Sequence, residues 1–151
     1  MIEIVCWVCK ETSFFSGEED KAVCQNRECQ KLIIDEDIWP LVATVNLMGL
    51  KTNGSCEGHN DFDSGFYPYP WISFEKNAPL DILSKFWIMI EEFNCANQSS
   101  SRTKDMAFWR LEFNERGDCW WLYPEDRHGK DCYSLRKESQ KLAEYLQQRT
   151  K

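Results

Sequence analysis

Two stretches decide how this chain is read: Cys6-Trp7-Val8-Cys9 and Cys24-Gln25-Asn26-Arg27-Glu28-Cys29. Each pair of thiols can sit on one tight turn, and a polar, acidic loop containing Gly17 separates the two pairs. Two such turns facing each other put four sulfurs tetrahedrally about Zn²⁺ at about 2.3 Å. The chain has eight cysteines, and an even count in a small secreted protein would point to disulfides instead. The first residues, Met1 to Thr12, lack the basic stretch and long apolar run of a signal peptide. The expectation is therefore a soluble cytoplasmic protein whose paired thiols stay reduced and bind metal. The bland alternative is four buried, unligated thiols, since cysteine is an ordinary small core residue.

The arrangement resembles a zinc ribbon over residues 1–35, with Ile2 to Val5 and Lys31 to Ile34 as the strands leading into and out of the knuckles. The resemblance implies that Cys6, Cys9, Cys24 and Cys29 are the metal ligands and that zinc is the cofactor. Two features depart from the family pattern. Lys10 and Gln30 stand just after the second thiol of each pair, where glycine is common, and the second pair is spaced by four residues. That wider spacing disfavours a rubredoxin-like iron centre.

Composition bounds the rest. At 151 residues the chain fits one compact body with a small appendage. A hydrophobic fraction of 42% with seven Trp and nine Phe exceeds what a disordered chain carries, so a packed core is expected. No run approaches the roughly 20 apolar residues that span a bilayer. The formal net charge of −7 would repel a polyphosphate and disfavours nucleic acid as a partner. Two locally basic regions, Arg102, Lys104 and Arg110, then Arg136, Lys137, Lys141, Arg149 and Lys151, read as solvated faces.

Residues 36–151 read as an α+β domain, a layer of helices on an antiparallel sheet. Ile38, Leu41, Val42, Val45 and Met48 recur at helical spacing, Pro40 falls in the first turn, and Gly49-Leu50 has the form of a Schellman stop. A short returning strand follows over Leu50 to Asn53, and another over Trp71 to Glu75. Asn77 is a candidate cap and Pro79 a first-turn residue of a second helix with Leu83, Phe86, Trp87 and Ile90 as its buried stripe. Cys95 to Lys104 turns to Asn, Gln and Ser and reads as a surface connection. Two aromatic-rich runs around Asn114 to Asp118 predict a β-hairpin with Gly117 at positive φ. Leu135, Leu142, Tyr145 and Leu146 mark a closing amphipathic helix. Trp109, Trp120 and Trp121 fall on both faces of the hairpin, as core, stacking platform or interface.

Thr52 to Asn60, TNGSCEGHN, puts a thiol, a carboxylate and an imidazole within four positions at a strand end, where a rigid scaffold aims loops. Cys56 is a candidate nucleophile with His59 as its base and Glu57 or Asp61 orienting the ring. Alternatively Cys56 and His59 are a C-x-x-H metal pair completed by Asp61, Asp63, His128 or Cys132. A third possibility is a non-covalent ligand loop in which Gly54 and Gly58 let the backbone pass close to a ligand, with Ser55, Glu57, Gly58 and Asp61 in contact. The bland alternative is a structural turn. Ser55-Cys56-Glu57-Gly58 is similar to the Ser-Cys-x-Gly part of the Ser-Cys-Ser-Gly-Arg loop of wybutosine-synthesis methyltransferase-like proteins, with His59 in place of the Arg. The similarity implies that Ser55, Cys56 and Gly58 line a ligand pocket. The functional expectation is a small zinc-binding protein that takes a partner protein or small ligand through Ser55 to His59. The competing one is an enzyme of transferase or hydrolase type with a Cys56/His59 centre. Cys119, His128 and Cys132 match no ligand spacing and read as core thiols and a surface histidine.

Overall fold

The computed structural model describes residues 1–59, 68–99, 105–126 and 128–150. Among them are three helices and two antiparallel sheets, an α+β protein as the hydrophobic periodicities predict. The small sheet pairs β1 (Ile2–Val5) with β2 (Thr12–Phe15). The outgoing ribbon strand expected at Lys31 to Ile34 does not form, that segment making only an isolated bridge from Leu32 to Val23; β1 instead pairs with β2, which leads out of the first knuckle. The reason is alternation: Ser13 and Phe15 are buried while Thr12 and Phe14 are exposed, the period of a strand with one covered face.

Helix α1 (Trp39–Leu47) follows, with Pro40 in its first turn. It stops as its sequence dictates. Gly49, at φ 102°, donates to the Asn46 carbonyl and Leu50 to that of Val45, which is the Schellman pairing. Strand β3 (Thr52–Cys56) begins later than expected and takes in both Ser55 and Cys56. Strand β4 (Trp71–Glu75) lies where the β-branched and aromatic run predicts. Helix α2 (Leu80–Ser99) begins just after Pro79, whose carbonyl accepts from Leu83; Asn77 lies in the preceding turn. The helix runs through Cys95, so the first half of the polar stretch read as a connection is its last turn, and residues 100–104 lie outside the described residues. Its buried face is Leu83, Phe86, Ile90 and Phe93; Trp87, expected among them, is 54% exposed.

The hairpin is β5 (Phe108–Asn114) and β6 (Cys119–Glu125), closed by a turn in which Asp118, not Gly117, takes positive φ. Helix α3 (Cys132–Thr150) completes the chain, with Asp131 accepting the N–H of Ser134 at its start. The large sheet has strand order β3-β4-β6-β5, every pair antiparallel. Ile72, Phe74, Leu122 and Trp109 turn toward the helices and are fully buried. Tyr69, Trp71, Trp121 and Tyr123 form a half-buried aromatic group apart from that core, with Trp121 and Tyr123 ring centroids 4.7 Å apart.

Buried polar side chains join the layers. Asn94 of α2 donates to the Trp109 carbonyl at 2.8 Å and accepts the Trp109 N–H at 2.9 Å, standing in for a neighbouring strand at the β5 edge. Glu138 of α3 accepts the Ala107 N–H at 2.7 Å, and the half-buried Asn46 of α1 accepts the Thr52 N–H of β3 and donates to the Thr52 hydroxyl. The small sheet shares the main core. Phe15 meets Trp39 edge-on at 5.3 Å, and the Trp39 indole donates to the Glu19 carbonyl. Among the described residues no helix is long and apolar enough to cross a membrane.

Candidate metal centre and the adjoining loop

The two knuckles converge as the thiol spacing predicts. Cys6 and Cys24 are buried, Cys9 and Cys29 half-buried. The Sγ atoms of Cys6 and Cys29 are 3.8 Å apart and those of Cys9 and Cys24 3.6 Å, with all four within 4.8 Å of one another. A tetrahedron with metal–sulfur bonds of about 2.3 Å has sulfurs about 3.8 Å apart, whereas a disulfide needs about 2.05 Å. The cluster therefore fits a metal ion, and its thiols form no disulfide.

Backbone hydrogen bonds hold each knuckle. Lys10 donates to Cys6 O and Cys6 to Glu11 O; Cys29 and Gln30 both donate to Asn26 O, and Cys24 to Lys31 O. The missing glycines do not undo this geometry. Lys10 at φ 66° and Gln30 at φ 50° adopt the left-handed conformation themselves, at the cost that conformation imposes on a side chain. Burial would raise the Cys6 thiol, but the N–H groups of Cys9 and Val8 bring it down to about 7. For Cys29 the Lys31 N–H lowers the thiol, yet burial and the neighbouring thiols push it up to about 11. Cys24 is likewise raised: the Asn26 N–H lowers it, but burial and the Cys9 and Cys6 thiols outweigh that. Four sulfurs cannot all be anionic together without a cation among them.

The Ser55–His59 segment divides between two sides. Ser55, with Thr52 to Gly54, lines a cleft of about 630 Å³ together with Glu3, Ile4 and Val5 of β1, Trp7, Ile33 and Ile34. Cys56 and His59 face Asp35 instead, and the ligand atoms of these three lie within 4.8 Å of one another. His59 Nε2 is 3.7 Å from Asp35 Oδ2, which also accepts the Glu57 N–H at 3.1 Å. Burial pushes the Cys56 thiol up and the Asp35 carboxylate adds to that, so a nucleophilic thiolate is disfavoured there.

Glu57 is engaged elsewhere. Its carboxylate accepts the Asp37 N–H at 2.9 Å and lies 3.4 Å from Arg136, which also donates to the carbonyls of Glu57 and Gly58. The glycines serve the chain's own packing. Gly58 has φ 88°, and a Cβ there would fall 2.7 Å from the Tyr69 carbonyl carbon; one on Gly54 would fall 2.8 Å from Ser73 Oγ. Asp61 and Asp63 lie outside the described residues. His128 is exposed and Cys132 buried, and among the described residues neither joins a group able to hold a metal. Asp35 is the member of the group that the sequence does not flag, because it lies 21 residues before Cys56 with no spacing that marks it. The basic face expected on α3 is partly neutralised, Arg136 by Asp37 and Glu57 and Arg149 by Glu92.

No protein-family model, curated protein or solved structure matches the chain. The likeness of Ser55 to Gly58 to the methyltransferase loop accordingly has no support beyond those residues.

Proposed function

We propose that this is a zinc-ribbon binding protein of the cytoplasm. Cys6, Cys9, Cys24 and Cys29 of a module spanning residues 1–35 hold Zn²⁺, and the α+β remainder presents Ser55 and its neighbours to a partner segment or small ligand. A four-thiolate tetrahedron is an arrangement that zinc takes, and the wider second knuckle is unlike a rubredoxin-like iron centre. The observation that carries the reading is the cleft of about 630 Å³ between β1 and β3, a size that suits a bound ligand.

Residues of β1 and β3, both outer strands of their sheets, line the space, Ile4, Val5 and Ser55 among them, together with Ile33. An extended ligand suits such walls. The metal then has an indirect role: by fixing both knuckles it holds β1 at the right distance from β3. The enzymatic alternative at Cys56 and His59 is less well supported, because burial and Asp35 oppose the thiolate a transferase or hydrolase would need.

The test is a library of extended peptides and small-molecule fragments screened against the zinc-loaded full chain, with hits mapped by amide chemical shifts. Hits that perturb Ile4, Val5, Gly54 and Ser55, and that survive Cys56→Ser, support the cleft. Hits that map away from β1 and β3 would overturn it.

A further inference from the structure

We propose that Asp35, Cys56 and His59 form a second metal site, for a divalent ion of borderline softness such as Zn²⁺. This goes beyond the cleft reading and does not depend on it.

Four observations carry the site. First, a carboxylate oxygen, a sulfur and an imidazole nitrogen gather within 4.8 Å, from segments that meet only in the fold. Second, one thiolate, one carboxylate and a neutral imidazole sum to a charge that balances a divalent cation, in a donor mix that zinc accepts. Third, the segment is shaped like a metal knuckle: the Gly58 N–H points at Cys56 Sγ from 3.4 Å, and in the four-cysteine centre the Val8 N–H lies 3.4 Å from Cys6 Sγ. Both contacts join residues i and i+2 of a C-x-x-ligand turn. Fourth, the turn is braced before any ion arrives. Arg136 on α3 holds the Glu57 and Gly58 carbonyls, and the Glu57 N–H fixes the Asp35 carboxylate. Such outer support is what orients the ligands of a working centre.

The exposures set the direction of approach. Cys56 is 4% exposed at the base, while the His59 and Asp35 side chains are 35% and 37% exposed at the rim. An ion seated on the sulfur would meet solvent between the other two ligands. Among the described residues no fourth protein ligand joins the group.

The experiment is Co²⁺ and Zn²⁺ titration of the reduced full chain, followed by metal analysis and by the visible spectrum of the cobalt form. Wild type is expected to take two equivalents, the first with intense multi-thiolate absorption and the second with weaker single-thiolate bands. Cys56→Ser and His59→Gln are expected to lose only the second equivalent and keep the first spectrum. In wild type, the second equivalent of Zn²⁺ should shift the His59 ring nitrogens, a readout independent of whether any variant folds. A wild type that stops at one equivalent, lost in Cys9→Ser, would overturn this site and leave the four-cysteine centre standing. Two equivalents retained in both Cys56→Ser and His59→Gln, or unmoved His59 nitrogens, would also overturn it.

Discussion

At single residues, the structure shows what the chain accepts in order to build a knuckle without glycine. Gln30 holds a left-handed backbone at φ 50° while its N–H donates to Asn26. Gln30→Gly removes a conformational cost of about 1–2 kcal/mol, partly offset by the greater freedom of glycine in the unfolded chain. The metal-loaded variant should gain about 0.5–1 kcal/mol, read from its denaturant midpoint. Glu19 gives a pH-dependent prediction. Burial would raise its carboxyl, but the Ser16 hydroxyl and N–H and the Gly17 N–H bring it from its ordinary 4.5 down to about 2. A depressed carboxyl contributes stability above the unfolded value and loses it as pH falls through the folded one. Between pH 4.5 and about 2 the wild type should therefore lose stability that Glu19→Gln does not, as equilibrium unfolding at stepped pH would record.

Among the elements, periodicity locates helices and strands well and their outer faces less well. Leu83, Phe86, Trp87 and Ile90 form one stripe on a helical wheel, yet only Trp87 of the four stands in solvent. The stripe is wider than the surface available to cover it, and which edge is left out depends on where the helix meets the sheet. Polar residues are less legible still. Nothing in the sequence distinguishes Asn94 from the polar residues that follow it, although it is buried and pairs both main-chain groups of Trp109. Asn94→Leu strands a buried donor and a buried acceptor at about 1–3 kcal/mol each. We expect a loss of about 2–4 kcal/mol, with amide exchange at Trp109 accelerated more than elsewhere.

For the molecule as a unit, the four-cysteine cluster and the core are linked through contacts that cross residue 35. Ile2, Phe15 and Ile33 are buried in one cluster with Trp39, Val42 and Val45, and Trp39 reaches back to the Glu19 carbonyl. Stripping the metal should therefore lower the stability of the main body as well as unfold the knuckles. Restoring Zn²⁺ at 100 times its dissociation constant should return about 2.7 kcal/mol, measurable as a reversible shift in unfolding midpoint with and without chelator. Because the ion displaces protons from thiols such as Cys29, held up near 11, that stabilisation should weaken as pH falls. The thiol pairs, the helix stop at Gly49 and the hairpin are written in the chain alone, since spacing, turn chemistry and hydrophobic period act between near neighbours. Packing in three dimensions settles the rest: β2 pairs with β1, Ser55 turns to a cleft while Cys56 turns away, and Asp35 meets Cys56 and His59. Those outcomes depend on which distant surfaces cover one another, and a local pattern carries no record of them.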